Sequence, residues 1–230
     1  MRRPGGNQNI PRPDNWRVGA EPDWRSRDLS VLTDIDVVHQ RLLKLVAQPR
    51  SIAPELSQEW VTSARASAVL VPLIETNNGV CVLLTRRADH LRNHRGEISF
   101  PGGRMEEGEH AHHTAMREAH EEVGLHPSHV DIIGELDPIT TFVSNSLITP
   151  VVARISGQPL LQADAGEVAR ILHTPLHELV REDTYHNEWW LTPRGEINIH
   201  FFELDDETVW GATGRLLHQL LTAVTTESEK

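Results

Sequence analysis

Three glutamates, Glu118, Glu121 and Glu122, stand at positions i, i+3 and i+4. On a helix turning ~100° per residue they fall within about 100° of arc and share one face. Like charges so placed destabilise a helix by a few tenths of a kcal/mol per pair, so something should offset them. A hard divalent cation, Mg²⁺ or Mn²⁺, takes carboxylate and water oxygens and would recruit the charged oxygens of a phosphate chain. Arg117 adjoins the first glutamate and is placed to orient it. Glu109 falls near the start of such a helix, where the macrodipole favours an anion. Gly124 offers the left-handed stop at its end. The rival reading is an acidic helix face bathed in water, which is what most glutamate clusters are.

The segment before these acids concentrates Arg86, Arg87, Arg92 and Arg95 in an otherwise acidic chain. Guanidinium binds phosphate bidentately, so a basic loop beside a carboxylate–metal site suits a substrate with several phosphates. The rival reading pairs these arginines with surface acids. Asp164 and Glu167 fall in a loop after the glutamate helix, and either could add a carboxylate from outside it. His110, His112 and His113 read as surface residues of the first turn; His120 lies farther along. Trp189, Trp190 and Trp210 could stack a base, though such residues more often fill a core. Cys81 sits in an apolar run and reads as a small hydrophobe.

The stretch from Gly103 to Leu125 resembles the Nudix box, Gly-x5-Glu-x7-Arg-Glu-U-x-Glu-Glu-x-Gly-U. The residues are Gly103, Glu109, Arg117, Glu118, Ala119, Glu121, Glu122, Gly124 and Leu125. Seven fixed identities at ~1 in 15 each would coincide at roughly 10⁻⁸ per start position. That weight displaces the acidic-face reading. The resemblance implies an α/β fold, the Nudix α/β/α sandwich with a mixed β-sheet, and hydrolysis of nucleoside diphosphates linked to another group. It implies Mg²⁺ or Mn²⁺ held by Glu118, Glu121, Glu122 and the Gly103 carbonyl. It gives catalytic roles to Glu118, Arg117 and Glu121, with Glu118 the choice of general base and Arg117 positioning it. The base varies within the family, so a carboxylate outside the box stays open.

Upstream, Leu83, Leu84, Thr85, Arg87, Ala88, Arg92, Gly96, Phe100, Pro101, Gly102 and Gly103 match in order the extra signature of the coenzyme A pyrophosphatase branch. That resemblance implies coenzyme A or its thioesters as substrate, with 3′,5′-ADP and 4′-phosphopantetheine as products. The 3′-phosphate is a physical reason for additional arginines, and Arg86, Arg87, Arg92 and Arg95 become the substrate-binding candidates. ADP-ribose or NADH remains an alternative substrate, and a binding module without turnover an alternative class.

These residues need a scaffold. Apolar runs at Ala66–Ile74 and Val80–Leu84 flank Asn77-Asn78-Gly79, a hairpin signal. A polar loop is expected over 86–103, a helix over 110–123, and strands over 130–136 and 148–155. A second hairpin is expected to turn at Pro193-Arg194-Gly195, and a last helix to run from Glu207 to Ala223. Ile35, Val38, Leu42, Leu45 and Val46 mark an earlier helix opened by Thr33-Asp34 and stopped by Pro49. Residues 1–30 carry no apolar period and read as an extended arm, although Trp16 and Trp24 suggest docking on the body or across to a second subunit of a homodimer. The division expected is an arm over 1–30, a helical extension over 31–60, the catalytic domain over 61–225 and a tail over 226–230.

Composition bounds the rest. With 22 Lys and Arg against 33 Asp and Glu, the net charge of −11 argues against nucleic acid or an anionic membrane as partner, and the partner the resemblance implies is a small-molecule nucleotide. A single cysteine excludes an internal disulfide and fits a reducing compartment. Neither a leader nor a targeting tail is apparent, so a cytoplasmic enzyme is expected.

Overall fold

The computed structural model describes residues 3–48, 63–141, 145–193 and 195–226. Pro49, the end of the helical extension, Arg194 and residues 227–230 of the tail lie outside them. The strands are β1 (Trp16–Val18), β2 (Arg65–Thr76), β3 (Gly79–Arg87), β4 (Ile98–Ser99), β5 (Gly102–Arg104), β6 (Val130–Glu135), β7 (Ile139–Thr141), β8 (Ser146–Ile155), β9 (Val168–Pro175), β10 (Tyr185–Thr192), β11 (Gly195–Glu203) and β12 (Thr208–Val209). The helices are α1 (Ile35–Val46), α2 (Ala111–Val123), α3 (Leu176–Leu179) and α4 (Gly211–Thr225).

Among these residues two sheets form. The first follows the order β4-β3-β2-β8-β6, with β5 on β2, β7 on β8 and β9 on β3. Its centre is a parallel pair, β2 with β8, in register from Arg65 beside Ser146 to Ile74 beside Ile155. The other pairings in it are antiparallel, so the sheet is mixed. A central strand covered on both faces must be apolar on both. Leu70 and Ile74 of β2, with Cys81 and Leu83 of β3, pack under Ala115, Ala119 and Val123 of α2. Val71, Leu73, Val82 and Leu84 turn to the opposite face and meet Val38 and Leu42 of α1, and Leu217, Leu220 and Leu221 of α4. The expected α/β/α sandwich is therefore present, and Cys81 is buried in it as a hydrophobe.

Some boundaries differ from those read in the sequence. Arg86 and Arg87 belong to β3, and the polar segment after them contains β4 and β5. The last helix begins at Gly211 because Thr208 and Val209 stay extended and pair with Glu203 and Phe202. The second sheet, β1-β10-β11-β12, is antiparallel and is built partly from the arm. Trp16 of β1 pairs with Trp190. Arg12 grips the buried Glu188 through two bonds of 2.8 Å. Trp24 is fully buried, edge-on to Tyr185 at 4.8 Å. Trp24 therefore takes the first of its two expected places, on its own body and not across to a second subunit; Trp16 remains 43% exposed. Among the described residues no helix is long and apolar enough to cross a membrane.

Candidate active site

The site is assembled where α2 lies against β5. Gly124, at φ 68°, ends α2 in the left-handed conformation, and its N–H returns to the His120 carbonyl at 2.9 Å. The helix is held to the sheet by Ala115 and Ala119, whose small side chains let its backbone approach β2 and β5. Gly103 pairs with Ala68 of β2. A Cβ on Gly103 would stand 2.4 Å from Oε1 of Glu118, so the Glu118 carboxylate rests directly on that bare backbone. A Cβ on Gly102 would meet the Ala68 carbonyl oxygen at 2.4 Å. The Gly102-Gly103 pair is thus required from both sides, by the neighbouring strand and by the acid.

Arg117 is the hub of the polar network. Its Nε and Nη2 donate to Glu109 at 2.9 and 3.1 Å, and its Nη1 donates to Glu118 at 2.9 Å and Glu121 at 3.0 Å. The Arg117 guanidinium, the Glu106 N–H and the Thr114 hydroxyl together hold the Glu109 carboxyl down at about 2. Glu109 therefore anchors Arg117, and Arg117 sets the direction of Glu118.

Glu118 and Glu122 point toward the Gly102-Gly103 backbone. Glu122 is 4% exposed, accepts from the Gly102 N–H at 3.4 Å, and is pushed by burial up to about 8, with Arg87 opposing and Glu118 and Glu167 adding repulsion. Burial likewise raises Glu118, against the pull of Arg117. Glu121 is the outlying member: its side chain is 57% exposed and turned to Arg117. Among the described residues no three acidic, histidine or cysteine groups are gathered into a ready-made cation cage. The donor set nonetheless fits a hard cation. Two carboxylates one turn apart, driven from water and repelling each other, face a backbone cradle that a Cβ would fill.

The arginines divide. Arg86 is committed to Asp89, at 2.9 and 3.0 Å, and to the buried Glu207 at 3.2 Å, the pairing with acids that was its rival reading. Arg87 lies close enough to Glu122 to favour its charge, and its Nε is buried without a hydrogen-bond partner. Arg92 and Arg95 are exposed on the β3–β4 loop. That loop touches the segment after α2: the Ala88 N–H donates to the Glu167 carbonyl at 2.8 Å, and His90 Nε2 lies 3.0 Å from the Gly166 carbonyl. Asp164 is used within its own turn, accepting from Gly166 N–H at 2.7 Å, while Glu167 reaches Glu118 and Glu122 electrostatically. His112 stands 3.0 Å from Glu135 of β6. Trp190 lies 6.3 Å from Trp210 and donates to Glu188 at 2.8 Å.

Comparison with known proteins bears on this arrangement. The profile of the NUDIX domain matches residues 64–194. Nudix hydrolase 3 of Caenorhabditis elegans is 33% identical over 203 residues, covering 81% of this chain and 84% of that protein. A protein of Pectobacterium atrosepticum called "Uncharacterized Nudix hydrolase NudL" is 35% identical over 161 residues, 70% of this chain and 83% of its own. A MutT/nudix family protein from Enterococcus faecalis, of known crystal structure, aligns over 76% of this chain and 65% of its own at 14% identity, with a TM-score of 0.47.

Proposed function

The chain belongs to the NUDIX domain family, and from that premise we propose that it hydrolyses the pyrophosphate bond of coenzyme A or its thioesters. Water attacks one phosphorus of the bridge, and the P–O bond on the leaving side breaks. The products are 3′,5′-ADP and 4′-phosphopantetheine or its acyl form. Bound Mg²⁺ or Mn²⁺, held by Glu118, Glu122 and the Gly103 carbonyl with Glu121 beside them, would neutralise charge on the diphosphate and acidify water.

The chain's own groups do the rest. Glu118, its proton affinity raised by burial and its carboxylate turned by Arg117, takes the proton of the attacking water. Arg87, Arg92 and Arg95 bind phosphate oxygens, and Arg86 fixes the base of their loop through Asp89 and Glu207. The observation that carries the substrate class is the Arg87 guanidinium, with a buried unpaired Nε, set beside the acids on the strand that bears the branch signature.

Mass spectrometry of the products formed from coenzyme A with Mg²⁺ or Mn²⁺ tests this, with ADP-ribose and NADH run alongside. The expected result is 3′,5′-ADP with 4′-phosphopantetheine. Intact coenzyme A alongside cleaved ADP-ribose or NADH would remove the substrate assignment.

A further inference from the structure

The N-terminal segment reaches the phosphate-binding loop. Gly5 and Gly6 cross the turn between β11 and β12 at backbone contact. The Gly5 N–H donates to the Leu204 carbonyl and the Gly6 N–H to the Thr208 hydroxyl, each at 3.0 Å. A Cβ on Gly6 would meet Glu207 Cα at 2.6 Å and the Asp206 carbonyl at 2.8 Å, so the crossing needs glycine. Two residues on, Gln8 commits its whole side-chain amide. Its Oε1 accepts from the Thr208 N–H at 2.9 Å. Its Nε2 donates to the Gly96 carbonyl at 3.1 Å and to the Glu207 carboxylate.

Both Nε2 partners matter to the site. Glu207 is 4% exposed and also holds Arg86 Nε at 3.2 Å and Arg170 Nη2 at 3.1 Å. Gly96 closes the β3–β4 loop: its N–H donates to the Arg87 carbonyl at 3.1 Å, and the Arg87 N–H donates to Glu97 at 3.0 Å. Arg92 and Arg95 lie between that closure and the fastening of Ala88 and His90 to the Gly166–Glu167 segment.

We propose that Gln8 is a positioning residue for substrate binding, clamping the Gly96 end of the arginine loop to β12 so that Arg92 and Arg95 meet the substrate's phosphates in a fixed orientation. The inference rests on the reading of that loop as phosphate-binding. The arm is then part of the binding machinery although Gln8 contacts the loop and not Glu118, Glu121 or Glu122.

The test compares wild-type full-length protein with Gln8→Ala and with Gln8→Asn, which keeps the amide and loses its reach. Hydrogen–deuterium exchange without substrate should quicken over residues 88–97 in both variants and stay unchanged over β2 and β8. The KM for coenzyme A should rise about 5- to 10-fold, the worth of one or two hydrogen bonds, with kcat within about twofold. Unchanged exchange over 88–97, or a fall in kcat at constant KM, would overturn the proposal. If wild type leaves coenzyme A intact while the variants still loosen 88–97, the clamp stands and the substrate reading fails. The KM is then read on whichever diphosphate derivative is turned over.

Discussion

Glu122 is a carboxylate that folding takes almost wholly out of water, with Arg87 as the cation that opposes its neutralisation. Its raised proton affinity has a defined sign for stability. The folded protein holds this proton more tightly than the unfolded chain, so the stability it contributes is full below the unfolded value of 4.5 and is lost as pH rises through about 8. With EDTA present, the melting temperature of wild type should fall relative to Glu122→Gln across that window, and the gap should close at its acid end. A constant gap would show that folding leaves the proton affinity of Glu122 unchanged. The same variant should lose activity by orders of magnitude at every pH. Gly103→Ala makes a separate test, because a Cβ 2.4 Å from Glu118 Oε1 must displace that carboxylate. A misplacement of about 1 Å costs roughly 100-fold in rate, so kcat/KM should fall at least that far while the circular dichroism spectrum is kept. The acids and Arg117 were legible in the sequence because their spacing is fixed by one helix. The sequence marks Arg87 and Glu167 only as one arginine among four and one acid of two, since they come from β3 and a later loop whose distance to the helix the sheet decides.

Helix α2 and the Asn77-Asn78-Gly79 hairpin formed where the sequence placed them, because cap, period and turn residues are local signals. Gly124 is the sharpest of these. At φ 68° an alanine would cost about 1–2 kcal/mol, and a Cβ there meets nothing nearer than 3.4 Å, so the cost is conformational. Urea unfolding of Gly124→Ala should show a loss of that size with an unchanged m-value; no loss would mean that the helix end relaxes freely. Elements fixed by distant partners escaped the sequence. β4 and β5 are two and three residues long, lie in a polar stretch, and exist because β3 and β2 supply their hydrogen bonds. The start of α4 moved for the same reason, since β11 captures Thr208 and Val209.

At the scale of the molecule, the α/β arrangement with a mixed sheet followed from the order of strands and helices, and the two tryptophans marked the arm for docking, but not the strand it forms, for the arm carries no period and borrows its order from the second sheet. Trp24 shows how far it is integrated. A tryptophan with no exposed surface, packed on Tyr185 and His218, should cost about 3–5 kcal/mol when cut to alanine. Chemical denaturation of Trp24→Ala checks this, and a loss under about 1 kcal/mol would mean that the arm is held loosely. The arm, the arginine loop and the acid-bearing helix then form one continuous body around a site meant for a diphosphate. The acids at its centre carry the whole account, and anomalous diffraction from crystals soaked in Mn²⁺ examines them most directly. A manganese peak is expected at the Glu118 and Glu122 carboxylates beside Gly103. A map with no peak there, from protein that still hydrolyses its substrate in the same Mn²⁺ solution, would contradict the account.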